Sequence, residues 1–153
     1  MTTHQTYRRG RFEVSTDPNQ ISADFVHDWL STESYWAENI PREVVDRALK
    51  HSLCFGLYDG ARQIGLARVI TDRATYAYLC DVFVHEVYRG QGLGQWLIEC
   101  VLADPDLQGL RRFMLSTVSG HKLYERLGFS FAAKPENLME IHCPNVYQKS
   151  DES

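Results

Sequence analysis

The chain has 153 residues, of which 44% are hydrophobic and 24% charged, with a formal net charge of −4 at pH 7. That length suits one domain spanning 1–153 with a core of its own, and the composition is that of a globular rather than a disordered chain. An acidic balance without a basic block leaves no electrostatic footprint for nucleic acid.

The four cysteines, Cys54, Cys80, Cys100 and Cys143, lie far apart and form no C-x-x-C pair. Three of them fall in predicted strands or in the main predicted helix, where a free thiol packs as a small hydrophobe. The six histidines make no H-x-x-x-H pair and no cluster with cysteine, so no metal is expected. The first residues, Met1 to Arg9, hold no apolar signal-peptide core. No apolar run approaches the roughly 20 residues a membrane span needs. The expectation is a reduced, cytoplasmic protein with no membrane partner.

Arg11–Ser15 alternates and predicts a short first strand. Asp17 and Pro18 then predict a helix start, as N-cap and first helical residue, before an apolar stripe of Ile21, Phe25, Val26, Trp29 and Leu30. A loop carrying Tyr35 and Trp36 leads to a second helix near Pro41, with Val44, Val45, Ala48 and Leu49 on one face. Leu53–Tyr58 and Ala61–Ile70 flank Asp59-Gly60 and predict a hairpin with a type I′ turn. Thr75–Val84 is a third consecutive strand, which makes an antiparallel meander.

The stretch from Asp81 to Trp96 organises the rest. An apolar strand ending at Val84 passes a turn holding Arg89, Gly90, Gln91, Gly92, Leu93 and Gly94, then runs into a helix. Leu93, Trp96, Leu97, Cys100 and Val101 put one apolar face on that helix. A glycine-rich strand-to-helix turn leaves backbone N–H groups at the positive end of the helix dipole, which suits phosphate. The dinucleotide fingerprint fails because Gln95 stands where the third glycine belongs, and the Gly-Lys-Ser/Thr of a P-loop does not occur.

After Asp104-Pro105, Arg112–Ser116 is the next strand; a crossover helix before it predicts that it runs parallel to the strand ending at Val84. Ser119 is the expected N-cap of a short helix with Leu123, Tyr124 and Leu127, closed by Gly128. Phe129–Phe131 and Leu138–His142 are expected as closing strands, and 148–153 as a polar tail.

Arg89-Gly90-Gln91-Gly92-Leu93-Gly94 resembles the R/Q-x-x-G-x-G/A turn of the GNAT superfamily of acyl-CoA-dependent N-acetyltransferases. Downstream, Tyr124-Glu125-Arg126-Leu127-Gly128-Phe129 resembles that family's Y-x-x-x-G-F segment. Both occur in the right order between Leu53 and Phe131. The first fifty or so residues match by element order alone. The resemblance implies an α/β (α+β) fold, a mixed and mostly antiparallel sheet flanked by helices, with two neighbouring strands splayed apart.

It further implies acetyl-CoA as co-substrate, without a metal. The amides of Arg89 to Gly94 would hold the pyrophosphate, and the backbone of Phe83 and Val84 the pantetheine arm. Tyr124 would protonate the departing thiolate. A primary amine, on a small molecule or a protein, would be the acceptor. The alternative on the same fold is a non-catalytic acyl-CoA-binding module, and a chain that binds no cofactor would be an interaction domain. One departure stands out: many relatives carry an asparagine after the strand that here ends at Ser116, where this chain has Thr117-Val118-Ser119-Gly120.

The base is open between readings. Asp81 stands in an otherwise apolar strand and is either a base or amine anchor, or the structural partner of an arginine such as Arg68 or Arg73. Tyr35 and Trp36 fall where the resemblance puts one wall of the acceptor pocket, and their rings suit a cationic amine; core packing is the competing role. Tyr76, Tyr78 and Asp72 are further pocket candidates. Ser119-Gly-His-Lys122 matches S-x-x-K, but its partner motifs S-D-N and K-T-G are missing. The resemblance leaves a homodimer open, although no exposed stripe in the sequence demands one.

Overall fold

The computed structural model describes residues 3–148; most of the expected polar tail lies outside the described residues. A six-stranded sheet runs in the order β1-β2-β3-β4-β5-β6, antiparallel throughout except for the last pair. β1 (Thr6–Arg9) and β2 (Phe12–Ser15) form a hairpin that replaces the single strand expected at Arg11–Ser15. β1 lies at the edge and is mostly exposed, so it carries no alternation to read.

β3 (Leu53–Asp59) and β4 (Arg62–Thr71) meet at Gly60–Ala61. The turn has positive φ at Gly60 (60°) and not at Ala61. That is the φ pattern of a type II′ turn, which corrects the type I′ expectation: the first central residue is Gly60 rather than Asp59.

α1 (Ala23–Glu33) begins later than Asp17-Pro18 suggests. Asp17 caps only a 3₁₀ turn over Pro18–Gln20. Ser22 N–H donates to Gln63 Oε1 at 2.7 Å, which ties the chain to the sheet in extended form, and the Ser22 hydroxyl then caps α1 by accepting from Phe25 N–H. α2 (Arg42–Lys50) follows.

Both faces of the sheet are covered, so β3 is almost uniformly buried and reads as a continuous apolar run. One core, around Phe55, Leu57, Ile64, Val69, Leu97 and Ile98, lies under α3 (Leu93–Ala103). The other, around Val26, Leu30, Val45, Cys54, Leu66 and Phe83, lies under α1 and α2.

β5 (Tyr76–Val84) and β6 (Arg112–Leu115) pair in parallel, as the crossover predicts, but only from Tyr76↔Arg112 to Leu79↔Leu115. Cys80–Val84 continues past that point with β4 on one side and an opening on the other. This is the expected splay.

The two closing strands are not formed. Phe129 is consumed by the end of α4 (His121–Arg126): its N–H donates to Tyr124 O and Gly128 N–H to Glu125 O, the paired bonds of a Schellman cap. Residues 138–142 hold Leu138, Met139 and Ile141, yet the chain carries them off the β6 ladder, and without a ladder partner they form no strand.

Candidate active site

The site begins where β5 ends. His85 N–H donates to Ile64 O at 2.7 Å, closing the ladder with β4. Gly65 and Val84 are therefore the non-hydrogen-bonded pair, and the N–H and C=O of Val84 point away from β4 into the splay. Arg89 Nε reaches back to Val84 O at 3.0 Å, fixing the turn against the strand it leaves. Gln91 Nε2 donates to Tyr88 O, and the Tyr88 hydroxyl to Asp59, which pins the same turn to the sheet.

Gly90 (φ 83°) and Gly92 (φ 76°) sit in the left-handed region, and open space lies where a Cβ would stand at either. A side chain there would strain the backbone and fill that space. Gly92 is the N-cap of α3 and offers no side-chain acceptor. The N–H groups of the first turn thus face the opening without an intrahelical partner, at the positive end of an 11-residue helix. Gly94 has an ordinary helical backbone, and a Cβ there would touch Val84 Cγ2 at 3.9 Å, so the turn and the strand end face the same space. A pyrophosphate over the turn and an extended arm along Val84 fit this donor set.

α4 carries the Tyr124 segment. Gly120, rather than Ser119, is its N-cap, and a Cβ at 120 would stand 3.1 Å from the Tyr124 ring and 2.9 Å from Thr117 Oγ1. Gly120 lets the Tyr124 ring lie against the helix start, where Phe129 braces it edge-on at 5.7 Å. Tyr124 packs against the same core as Val84 and Trp96 and lines an open cavity of about 810 Å³ between β6, α4 and the segment after it. Burial raises its pKa, so the hydroxyl stays protonated at neutral pH. Gly120 is a positioning residue that sequence reading missed; its only signal was its place four residues before Tyr124.

On the opposite face, α1 and the loop after it bring an aromatic ridge over the strand end. Trp29 stacks on Phe83 with centroids 4.0 Å apart and planes 3° from parallel, Trp36 leans on Trp29, and Tyr35 meets Trp36 edge-on. Tyr35 and Trp36 are exposed at the rim. Trp29, read from the sequence as a core position only, forms the floor of this wall.

Asp81 lies beneath it, at a bulge where β5 slips against β4, with φ 51°. Arg68 Nε donates to its Oδ2 at 2.7 Å, and Trp36 Nε1 to its Oδ1 at 2.7 Å. Arg68 also reaches Ser52 Oγ at 3.0 Å. Of the two arginine partners considered, the structure brings Arg68; Arg73 pairs with Asp106. Asp81 therefore fastens the aromatic ridge to the sheet, with both oxygens engaged.

The remaining candidates are spent locally. Asp72 accepts from the N–H groups of Ala74, Thr75 and Tyr76 and from the Thr75 hydroxyl, bonds that hold its pKa low. The Tyr76 hydroxyl meets the Met114 sulfur. Cys54, Cys80 and Cys100 are thiols raised to about 12 chiefly by burial, as small core hydrophobes are. Among the described residues, no three His, Cys, Asp or Glu side chains gather as a metal set, and no helix is long and apolar enough to cross a membrane.

Four similarities to known proteins bear on this arrangement. The family model described as Acetyltransferase (GNAT) family matches residues 23–129, which include the turn, the strand end and α4. A crystal structure of a GNAT-family protein from Xanthomonas campestris pv. campestris is 46% identical and superposes with a TM-score of 0.89, covering 93% of this chain and all of that one. The Gibberella zeae protein FG08082, provisionally named an acetyltransferase, is 34% identical over 146 residues, 81% of each chain. A GNAT acetyltransferase from Elizabethkingia anophelis, solved with acetyl-CoA bound, shares the fold at 16% identity and a TM-score of 0.57, over 90% of this chain and 85% of that one. The family match, covering most of the chain, and the two closer relatives place this chain in the GNAT family of acetyltransferases.

Proposed function

We propose that this protein transfers an acetyl group from acetyl-CoA to a primary amine, with both substrates bound together between β5 and β6. The observation that carries the proposal is the uncapped glycine turn opening beside the outward-facing backbone of Val84, with Tyr124 packed on the same core. Acetyl-CoA supplies the acetyl group as a thioester. The first-turn amides from Gly90 to Gly94 hold the pyrophosphate, Phe83 and Val84 receive the pantetheine arm, and the Val84 N–H stabilises charge growing on the thioester oxygen. Tyr124 gives its proton to the sulfur as the carbon–sulfur bond breaks and the carbon–nitrogen bond forms.

Trp29, Tyr35 and Trp36 offer their ring faces to an amine on a small molecule or a protein. Asp81 holds Trp36 in that wall; to take the amine proton itself it would have to release Arg68 or Trp36, so the proton leaves to water. That engagement is also what favours a second reading, an acyl-CoA-binding module that does not turn over.

Calorimetric titration of acetyl-CoA into wild type, Gly92→Glu and Gly94→Glu tests the cofactor site. Gly94→Glu adds the same anion without the backbone cost at φ 76°, so it isolates the ligand effect. Binding to wild type and a loss of about tenfold or more in both folded variants support the site; undiminished binding to Gly94→Glu overturns it. Turnover with an amine panel then separates the enzyme from the binding module.

A further inference from the structure

The aromatic ridge over the end of β5 is packed on its inner side and bare on its outer side. Phe83 is sealed beneath Trp29, whereas Tyr35 is 70% exposed and Trp36 42%. The Trp29 and Trp36 centroids stand 5.8 Å apart with planes at 47°, and Tyr35 meets Trp36 at 5.0 Å and 84°. Core packing accounts for the inner rings and leaves the outer two facing solvent. The polar groups around them are already spent. Trp36 Nε1 and Arg68 Nε take the two oxygens of Asp81, the Ser34 hydroxyl donates to Leu30 O and accepts from Ala37 N–H, and His27 Nε2 meets Ile40 O at 3.0 Å.

Ring faces with so few free donors and acceptors are ill suited to reading the hydroxyls of a sugar; they read hydrocarbon and positive charge. The local charge has the matching sign. From Ala23 to Pro41 the chain has Asp24, Asp28, Glu33 and Glu38 and neither lysine nor arginine. Glu33 and Glu38, on either side of the two exposed rings in the sequence, are in no ion pair among the described residues. The Trp36 indole also donates to a carboxylate, which polarises the ring and makes its face more negative.

A cation on these rings is not the reacting nitrogen. That nitrogen needs a free lone pair to attack the thioester carbon, so it enters as –NH2; held on the rings as an ammonium it would be held in its unreactive form. Its proton passes to water as the carbon–nitrogen bond forms, while the departing thiolate takes one from Tyr124. The ridge therefore has work only if the acceptor carries a second positive centre. We infer that the acceptor is a linear alkyl diamine or polyamine, one amine reaching the thioester uncharged and another resting as an ammonium on Trp36 and Tyr35. This rests on the acetyl-transfer reading above and names its acceptor class.

Initial rates with acetyl-CoA compare 1,4-diaminobutane and 1,5-diaminopentane with n-butylamine and 4-amino-1-butanol, the last of which replaces only the second amine. The ratio of kcat/KM, diamine over amino alcohol, is expected at about tenfold or more, against the about twofold that two equivalent amines give by statistics alone. Tyr35→Leu/Trp36→Leu should bring the ratio to that statistical level, and Tyr35→Phe, which keeps the ring, should preserve it. Because the ratio is taken within each variant, a general loss of rate cancels. Should circular dichroism show the double variant unfolded, Tyr35→Leu alone, at a side chain 70% exposed, should cut the ratio by at least about threefold. A wild-type ratio near two, or a ratio that survives loss of the rings, overturns the inference and leaves acetyl transfer in place. Binding of acetyl-CoA with turnover of none of the four amines overturns the acetyl-transfer reading, and the inference with it.

Discussion

Asp81 combines three constraints that rarely coincide. Its backbone is left-handed (φ 51°), its carboxylate neutralises the half-buried Arg68, and it accepts from Trp36 in the aromatic ridge. Asparagine tolerates that backbone and keeps the Trp36 bond, so Asp81→Asn removes the charge and the oxygen that accepts from Arg68. The uncompensated Arg68 cation should then cost about 2–4 kcal/mol, measurable as a lower urea midpoint at unchanged slope. Asp81→Ala should cost about 1 kcal/mol more from the strained φ alone. Tyr124 is constrained differently, through Gly120, whose missing Cβ leaves room for the ring. If Tyr124 protonates the departing sulfur as proposed, Tyr124→Phe should lower kcat by about 10²-fold and leave acetyl-CoA affinity within about twofold. Gly120→Ala should lower kcat in the same direction through displacement of the ring, with the alkaline limb of its pH profile moved toward lower pH as Tyr124 loses burial; an unchanged profile would mean the ring is not displaced.

The elements that were legible in the sequence are those whose pattern is set by local chemistry. β3, β4, β5 and α3 carry apolar runs or a helical stripe, and the Asp59-Gly60 pair and the glycine turn mark their joints. The Schellman end of α4 was likewise visible in Gly128. What was not legible depends on distant partners. Asp17-Pro18 is a sound helix start locally, but Gln63, 41 positions further on from Ser22, holds the chain extended past it. Residues 138–142 hold three apolar side chains and find no ladder partner among the described residues. Within the candidate site, the turn and Tyr124 could be read from spacing, whereas the Trp29–Phe83 stack and the Arg68–Asp81–Trp36 link join residues up to 54 positions apart and needed the fold. Gly56 on β3 belongs to this second kind: a Cβ there would lie 2.3 Å from the buried Tyr58 hydroxyl. Gly56→Ala should therefore destabilise by about 1–3 kcal/mol through overpacking, read as a lower midpoint in thermal or urea unfolding, although alanine suits a strand better than glycine does.

At the scale of the molecule, the sheet separates two cores, and each is partly built from thiols. Cys54 belongs to the core under α1 and α2, Cys100 to the one under α3, and Cys80 lies in β5 beside the Arg68–Asp81 pair. Burial lifts all three from an ordinary value of 9.0 to about 12. Their folded pKa values stand above the unfolded ones, so between about pH 9 and 12 the unfolded chain has lost protons that the native chain still holds. The unfolded state binds fewer protons in that window, which makes the slope of unfolding free energy against pH negative. The stability these thiols lend is fully present below about pH 9 and is lost as pH climbs toward 12, with a limiting slope of about 1.4 kcal/mol per pH unit for each thiol. Tyr58 and Tyr124, also raised by burial, extend the same loss to pH values above 10.0. Urea unfolding under reducing conditions between neutral pH and about pH 11 should show a flat region and then a steady fall. Cys100→Ala removes one titrating group and should flatten that fall, at the expense of a lower plateau from the small cavity it leaves under α3. A plateau that continues unchanged through about pH 11 would mean that the thiols reach solvent through motions of the core before the chain unfolds globally.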